Sequence, residues 1–423
     1  MLNRNRVIAF SRLLLIMPIL AWAQTGQVLT LDDCIRIGLK ENQSLTINRY
    51  ETDRSISQAK SNISLVLPSI NYSLSSASAN AGNTGWNDSY STSLNLSQNI
   101  WDGGRWWNTL KSAQTAQRAA DMQLQIYELS TVYQIKVAYY NYLSALKLLD
   151  VYRENFNTSQ SQHQLTLERF KLGAASHSDT LRTRVSIGES RLKIIQGENE
   201  ARAKARELNI ILGRDGNTPL QLEEPAWSMI EIPKYETTIT ELIASNPELQ
   251  YLEETQEISE YNVNISRSAY IPSLNMGMGY SNSAADMGSL YDETTSSLSA
   301  GVSLSWNLFN GTQTKRSVEQ SKISRKIADE NVDLKVRQLK RDLAQALENM
   351  ETLKESVSIS QLILNAAEID METAQEEYRL GSMSILDVLT ITARYEDAKS
   401  GLIQAQYNLK IAEAALHQLL GKR

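Results

Sequence analysis

The chain has 423 residues, of which 42% are hydrophobic, and a formal net charge of −6 at pH 7. This length could hold two or three ordinary domains, and the scarcity of proline, with 7 residues, suits long uninterrupted helices. Beyond residues 1–23 the chain carries 39 basic and 48 acidic residues, a net charge of −9, which argues against nucleic-acid binding. The single cysteine, Cys34, excludes an internal disulfide and any metal site built from several cysteines.

Residues 1–23 have the pattern of a secretory signal peptide. Three arginines precede an apolar run over 13–20, and small residues surround a cleavage point before Gln24. The run is shorter than the roughly 20 residues that a membrane-spanning helix needs, and no other apolar stretch approaches that length. The mature protein is therefore expected to be secreted, soluble beyond the inner membrane, or inserted in a membrane as a β-barrel.

The next segments change their hydrophobic period at a proline. Over 29–66, apolar residues recur at spacings of three and four, which predicts a helix that Pro68 terminates. Over 69–101, apolar residues alternate with Ser and Asn around a loop of turn-forming residues, which predicts a hairpin of two strands of about ten residues each. The polar face carries no charge between residues 69 and 80, a composition typical of a strand between lipid and a lumen.

A helical pattern then runs from 104 to 172 without proline or internal glycine, which at about 1.5 Å per residue is on the order of 100 Å. A tip follows at 172–176, and a return helix runs over 179–212. Three prolines mark a connector at 214–237. The pattern predicts a long helical hairpin that ends in a tight tip.

The second half repeats the first at an offset of 208 residues. Short helices precede a strand hairpin over 273–309, a long helix over 312–380, a tip at 380–384 and a return helix. The long helix has an apolar seam that steps by four and three from Val332 to Tyr378, which is a sustained heptad repeat. We therefore expect four parts: the signal peptide (1–23), a first structural repeat (24–213), the connector (214–237) and a second structural repeat (238–423).

Both tips share one pattern. A Leu-Gly pair is followed by Ser three residues after the Gly, and Asp stands three residues after that Ser. A glycine just past a helix end can take the left-handed conformation that closes the last turn. A Ser followed by an Asp at the fourth position resembles a capping box, which starts the next helix. The residues are Leu172, Gly173, Ser176 and Asp179 in the first tip, and Leu380, Gly381, Ser384 and Asp387 in the second.

Four strands with one lipid-type face cannot close a barrel alone, because barrels need roughly eight strands or more. An open sheet edge is forbidden in lipid, so each protomer is expected to contribute its strands to a shared barrel. Two protomers would supply eight strands and three would supply twelve. Each strand hairpin enters and leaves on the same side, so the helical body is expected on the periplasmic face of the membrane.

The signal-peptide pattern, the repeat, the paired strand hairpins and the two tips resemble the TolC-type outer membrane factors over nearly all of the mature chain. The resemblance implies an α+β membrane protein in the outer membrane of a Gram-negative bacterium, with four strands per protomer in a homotrimeric twelve-stranded β-barrel continuous with a periplasmic α-helical barrel of coiled-coil hairpins. It implies a passive duct, surrounded by outer membrane lipid, that exports small molecules or proteins in a tripartite efflux pump or a type I secretion system. The implied partners are a periplasmic adaptor (membrane fusion) protein and an inner-membrane transporter of the RND, ABC or MFS type.

The resemblance also implies roles for the tips, which in the family receive the adaptor and close the periplasmic entrance. The residues implied to contact the adaptor are Leu172, Gly173, Ser176, Leu380, Gly381 and Ser384. Asp387 matches an entrance aspartate of the family, and Asp179 is its counterpart in the first repeat. Met383 stands where the family often has a basic residue, and Thr390 replaces a second entrance acid, so a weaker cation trap and a weaker latch are expected. The alternative role for Asp387 and Asp179 is helix capping alone.

The sequence shows no nucleophile elbow, phosphate loop, metal-ligand spacing or cofactor motif, so no enzymatic activity and no cofactor are expected. The main alternative is an exported coiled-coil structural or adhesin protein, which would explain the heptads but not the alternating strands. An exported hydrolase would need a histidine-centred constellation, and the three histidines lie far apart in sequence.

Overall fold

The chain forms two similar sets of helices and strands, which a computed structural model describes for residues 28–64, 67–80, 82, 85–228, 231–292 and 296–422. The predicted signal peptide lies outside these residues. The helices are α1 (Leu31–Glu41), α2 (Gln43–Ser64), α3 (Arg105–Lys171), α4 (His177–Ile211), α5 (Tyr235–Ser245), α6 (Pro247–Ser268), α7 (Gln313–Leu380) and α8 (Ile385–Leu419). The strands are β1 (Val28–Leu29), β2 (Ser69–Asn80), β3 (Trp86–Trp101), β4 (Gln221–Leu222), β5 (Ser273–Ala284) and β6 (Ser296–Ser305).

The two strand hairpins join into one antiparallel sheet in the order β2-β3-β5-β6. The register places serines opposite serines, and the hydroxyl oxygens of Ser69 and Ser97 lie 2.7 Å apart, as do those of Ser75 and Ser91. Strands β2 and β3 have 12 and 16 residues, so the predicted length of about ten is too short. Their outer ends still pair where the alternation of apolar residues has stopped, which is why the pattern missed them.

The other face of this sheet is apolar and exposed, with Ile70, Tyr72, Leu298 and Val302 among its side chains. Strands β2 and β6 form the two edges of the sheet. The second hairpin was predicted to run to residue 309, but β6 ends at Ser305. The indole of the next residue, Trp306, leaves the sheet pattern and donates to the carbonyl oxygen of Tyr270 at 3.1 Å.

The two long helices have 67 and 68 residues, in agreement with their predicted lengths. Helix α3 packs along α4, and α7 packs along α8, so each pair forms a helical hairpin; α3 also packs along α8 and joins the hairpins. Every position of the predicted seam in α7 is buried or half-buried, and Leu339 and Leu343 are fully buried. Among the described residues, no helix combines the length and the apolar character that crossing a membrane requires.

The single helix predicted over 29–66 is wrong, because it divides at Asn42 into α1 and α2. The Asn42 side chain accepts from the backbone N–H three residues later at 2.7 Å and donates to the carbonyl oxygen of Ile211 at 2.6 Å. Asn246 does the same between α5 and α6, where it donates to the carbonyl oxygen of Leu419 at 3.0 Å. Each asparagine therefore fixes a pair of short helices to the end of a return helix.

The short elements cover the middle of the long helices. Strands β1 and β4 pair in parallel, and the Tyr139 hydroxyl of α3 donates to the carbonyl oxygen of Glu223 just beyond β4. Cys34 is completely buried in this cluster, and burial raises the pKa of its thiol to about 12, so the thiol stays protonated at neutral pH. The connector predicted to end at residue 237 ends earlier, because α5 begins at Tyr235 directly after Pro233-Lys234.

Candidate functional site at the hairpin tips

The two tips have the same backbone construction. In the first, Gly173 has φ +76°, its N–H donates to the carbonyl of Phe170 at 3.0 Å, and the next N–H donates to the carbonyl of Arg169 at 2.8 Å. In the second, Gly381 has φ +91°. Its N–H donates to the carbonyl of Tyr378 at 3.1 Å, and the next N–H donates to the carbonyl of Glu377 at 3.0 Å. Both helices therefore end in a Schellman motif, which satisfies carbonyls that would otherwise lack a partner.

Each tip also starts the return helix with a Ser–Asp cap. Asp179 accepts the N–H of Ser176 at 2.9 Å and its hydroxyl at 2.7 Å, and the Ser176 oxygen accepts the Asp179 N–H at 3.1 Å. The Ser176 side chain, followed by its backbone N–H, lowers the pKa of Asp179. In the second tip, Ser384 accepts the Asp387 N–H at 3.3 Å and donates to its carboxylate at 2.7 Å. Asp179 therefore completes a capping box, whereas Asp387 binds the hydroxyl of Ser384, the residue that caps α8.

The remaining predicted residues differ in their exposure. The side chains of Leu172 and Leu380 stand out from the tips and are 83% and 73% exposed. Asp387 and Thr390 are exposed on the first two turns of α8. Met383 is half-buried and packs into the apolar cluster between α7 and α8 at the second tip. The position that the family often fills with a basic residue is therefore an apolar packing position here.

A contact that the sequence did not predict joins the two hairpins just above the tips. The Tyr378 hydroxyl oxygen of α7 lies 3.0 Å from the hydroxyl oxygen of Thr166 on α3. The Arg169 guanidinium lies over the Tyr378 ring, 4.7 Å from its centroid, and donates to the Tyr378 carbonyl oxygen. Thr166 and Tyr378 are buried, with 0% and 4% exposed. We call Thr166, Arg169 and Tyr378 the tip latch, because these residues hold the first hairpin against the second.

This contact has no counterpart at the matching position of the first repeat. Tyr378 has Phe170 as its counterpart at the 208-residue offset, and both fit an aromatic position in a helix seam. Phe170 has no hydroxyl and is 40% exposed, whereas Tyr378 is buried and bonded. The available signal was the pair Thr166 and Arg169, which lie three residues apart and so share one face of α3. Arg169 places a guanidinium of the first hairpin against the last turn of α7.

A sheet with an uncharged polar face and an exposed apolar face, joined to helical hairpins on the order of 100 Å long, defines a subunit of a membrane channel with a long helical body. The family model described as outer membrane efflux protein matches residues 35–214 and 238–422, and the chain belongs to that family. The cation efflux system protein CusC of Escherichia coli is 21% identical over 340 residues, which cover 80% of this chain and 74% of CusC. The outer membrane protein TolC of Vibrio cholerae is 22% identical over 338 residues, which cover 79% of this chain and 77% of that protein.

The fold agrees with these matches. A crystal structure of CusC superimposes with a TM-score of 0.83 at 20% identity, covering 93% of this chain and 92% of the CusC chain. The sequence-based predictions of a TolC-type fold, an outer membrane location and a role as an export channel are therefore confirmed.

Proposed function

We propose that three copies of the chain form a passive duct from the periplasm to the exterior. The observation that carries this proposal is the open sheet: its edges β2 and β6 are unpaired within the described chain, while its apolar face is exposed. Lipid cannot satisfy the backbone of an open edge, so β6 of one copy has to pair with β2 of the next. Each repeat, 24–213 and 238–423, contributes one strand hairpin and one helical hairpin, and three copies supply twelve strands.

In this proposal the tips surround the periplasmic entrance. Asp387 contributes one carboxylate per copy to a ring at the constriction, while Thr390 adds no second charge and Met383 packs the wall. Asp179 serves as a helix cap beside the entrance. The tip latch holds the entrance closed at rest, because its buried hydroxyls and its guanidinium bind the two hairpins together. A ring of three carboxylates favours cations over anions by electrostatic attraction.

The tips are also the proposed contact for a periplasmic adaptor protein. Leu172 and Leu380 present exposed apolar side chains at the ends of the two hairpins, where an adaptor would meet them. The neighbouring contact residues are Gly173, Ser176, Gly381 and Ser384. Beneath the adaptor we propose an inner-membrane transporter of the RND, ABC or MFS type, with small molecules or proteins as cargo. The chain itself supplies a path and no catalysis.

Two measurements test this proposal. Fractionation should leave the protein in the outer-membrane pellet after a carbonate wash, and it should run as a heat-sensitive trimer. An exported coiled-coil protein would be released instead. In planar bilayers the wild type should show small cation-selective openings, and Asp387→Asn should reduce the cation selectivity measured by reversal potential. An unchanged reversal potential would restrict Asp387 to helix capping and place the constriction elsewhere.

A further inference from the structure

A buried carboxylate links three helices above the tips. Glu396 of α8 is 4% exposed. One carboxylate oxygen accepts from the Lys193 ammonium of α4 at 2.7 Å, and the other accepts from the Asn155 side-chain amide of α3. One turn further along α8, the Lys399 ammonium donates to Glu154, the neighbour of Asn155, at 2.5 Å. Glu396 therefore connects the second hairpin to both helices of the first.

Hydrogen bonds and ion pairs thus join the hairpins at two levels. The tip latch is the lower level, and Glu396 with its partners is the upper level. On α3 the two levels, at Asn155 and Thr166, are eleven residues apart, which corresponds to about 16 Å along the helix. On α8, Glu396 lies nine residues beyond Asp387, or about 14 Å.

Between the two levels, α4 and α8 line a shared groove. A cavity of about 450 Å³ lies between them and extends from the tip end of both helices to Lys193 and Glu396. Its walls include Leu181 and Val185 of α4 and Leu386 of α8, whose side chains are exposed. Glu396 therefore binds α8 to α4 at the upper end of this groove.

We propose that Glu396 is a positioning residue for the entrance, and this inference rests on the proposed duct. The ion pair with Lys193 and the hydrogen bond from Asn155 form while α8 lies against the first hairpin, so both contacts favour this arrangement over one in which α8 moves away. The upper level is then a second anchor: it has to separate when α8 moves away from the first hairpin, so it stabilises the closed entrance. The closed position of Asp387 is set by this anchor as well as by the latch.

The test is single-channel recording of the full-length protein in planar bilayers. Glu396→Gln keeps the shape of the side chain but removes its charge, so the open probability should rise roughly tenfold or more, as expected for the loss of a hydrogen bond to a charged group. The double substitution Glu396→Lys with Lys193→Glu restores the ion pair, and the Asn155 oxygen can accept from the new lysine. This pair should bring the open probability back toward the wild-type value.

Glu198→Gln is the matched control, because Glu198 pairs with Arg153 between α3 and α4, within a single hairpin, at 3.6 Å. It should leave the open probability unchanged. If Glu396→Gln behaves like this control in a conducting protein, or if the exchanged pair fails to restore closure, the inference is wrong while the duct stands. If Glu396→Gln does not fold, Lys193→Met replaces it, because Lys193 is half-exposed and its loss breaks the same ion pair. The expected result and the contradicting result are then the same as for Glu396→Gln. A folded wild type that never conducts refutes the duct and this inference together.

Discussion

Removing the hydroxyl of Tyr378 should weaken the tip latch by a predictable amount. Tyr378→Phe loses the 3.0 Å hydrogen bond to Thr166 and keeps the ring under Arg169. The Thr166 hydroxyl retains its 2.8 Å bond to the Gln162 carbonyl oxygen, so the substitution leaves no orphaned donor. The net loss is therefore about 1 kcal/mol per protomer. That corresponds to about fivefold in the equilibrium between closed and open tips, and on the order of 100-fold if three tips open together.

The assay is the sensitivity of cells to a large polar antibiotic that an intact outer membrane excludes. Cells that carry Tyr378→Phe should become more sensitive, and the purified variant should open more often in planar bilayers. Tyr50→Phe makes the same chemical change at an exposed position of α2 and should have no effect. Arg169→Ala should have a larger effect than Tyr378→Phe, because it removes both the contact with the ring and the bond to the Tyr378 carbonyl.

The reasoning would be refuted by a folded, trimeric Tyr378→Phe protein with wild-type open probability and wild-type antibiotic exclusion. In that case the bond between Thr166 and Tyr378 persists in the open state or contributes nothing to closure. An equal change in the Tyr50→Phe control would show that the assay reports general loss of stability.

Three further predictions concern the tips and the helix junctions. Gly173→Ala and Gly381→Ala should each cost about 1 kcal/mol of stability because both residues have positive φ. Only Gly381→Ala should also raise the open probability, because the new Cβ atom would lie 3.3 Å from the Arg169 guanidinium. Asp179→Asn should lower the thermal midpoint at pH 7. A carboxyl with a lowered pKa stabilises the fold only while it is ionised, so the difference from wild type should vanish as the pH falls through the lowered pKa of Asp179. A difference in midpoint that persists at low pH would contradict this. Asn42→Ala should cost about 2 kcal/mol in denaturant unfolding because it removes two buried hydrogen bonds, and a loss below about 0.5 kcal/mol would count against the junction.

The long elements could be predicted because periodicity determines them. A seam that steps by four and three from Val332 to Tyr378 is compatible only with a helix, and its positions are all buried or half-buried. Glycine and the Ser–Asp pair have few alternative uses directly after such a helix, so the tips at Gly173 and Gly381 could be located as well.

The contacts between distant segments could not be predicted. Asn42 ends a helix because its side chain reaches Ile211, 169 residues away, and no proline marks the break as Pro247 does in the second repeat. The periodic pattern does not distinguish Arg169 and Glu396 from other charges on helices. Their partners belong to the other hairpin, and a periodic pattern carries no information about which helices become neighbours.

The most direct test of the central claim is single-channel recording of the purified full-length protein in a planar bilayer. The account predicts a trimer with rare, small, cation-selective openings, and more frequent openings when the tip latch is removed by combining Arg169→Ala with Tyr378→Phe. A well-folded preparation that never conducts, with or without the latch, would contradict the duct and support the exported coiled-coil alternative.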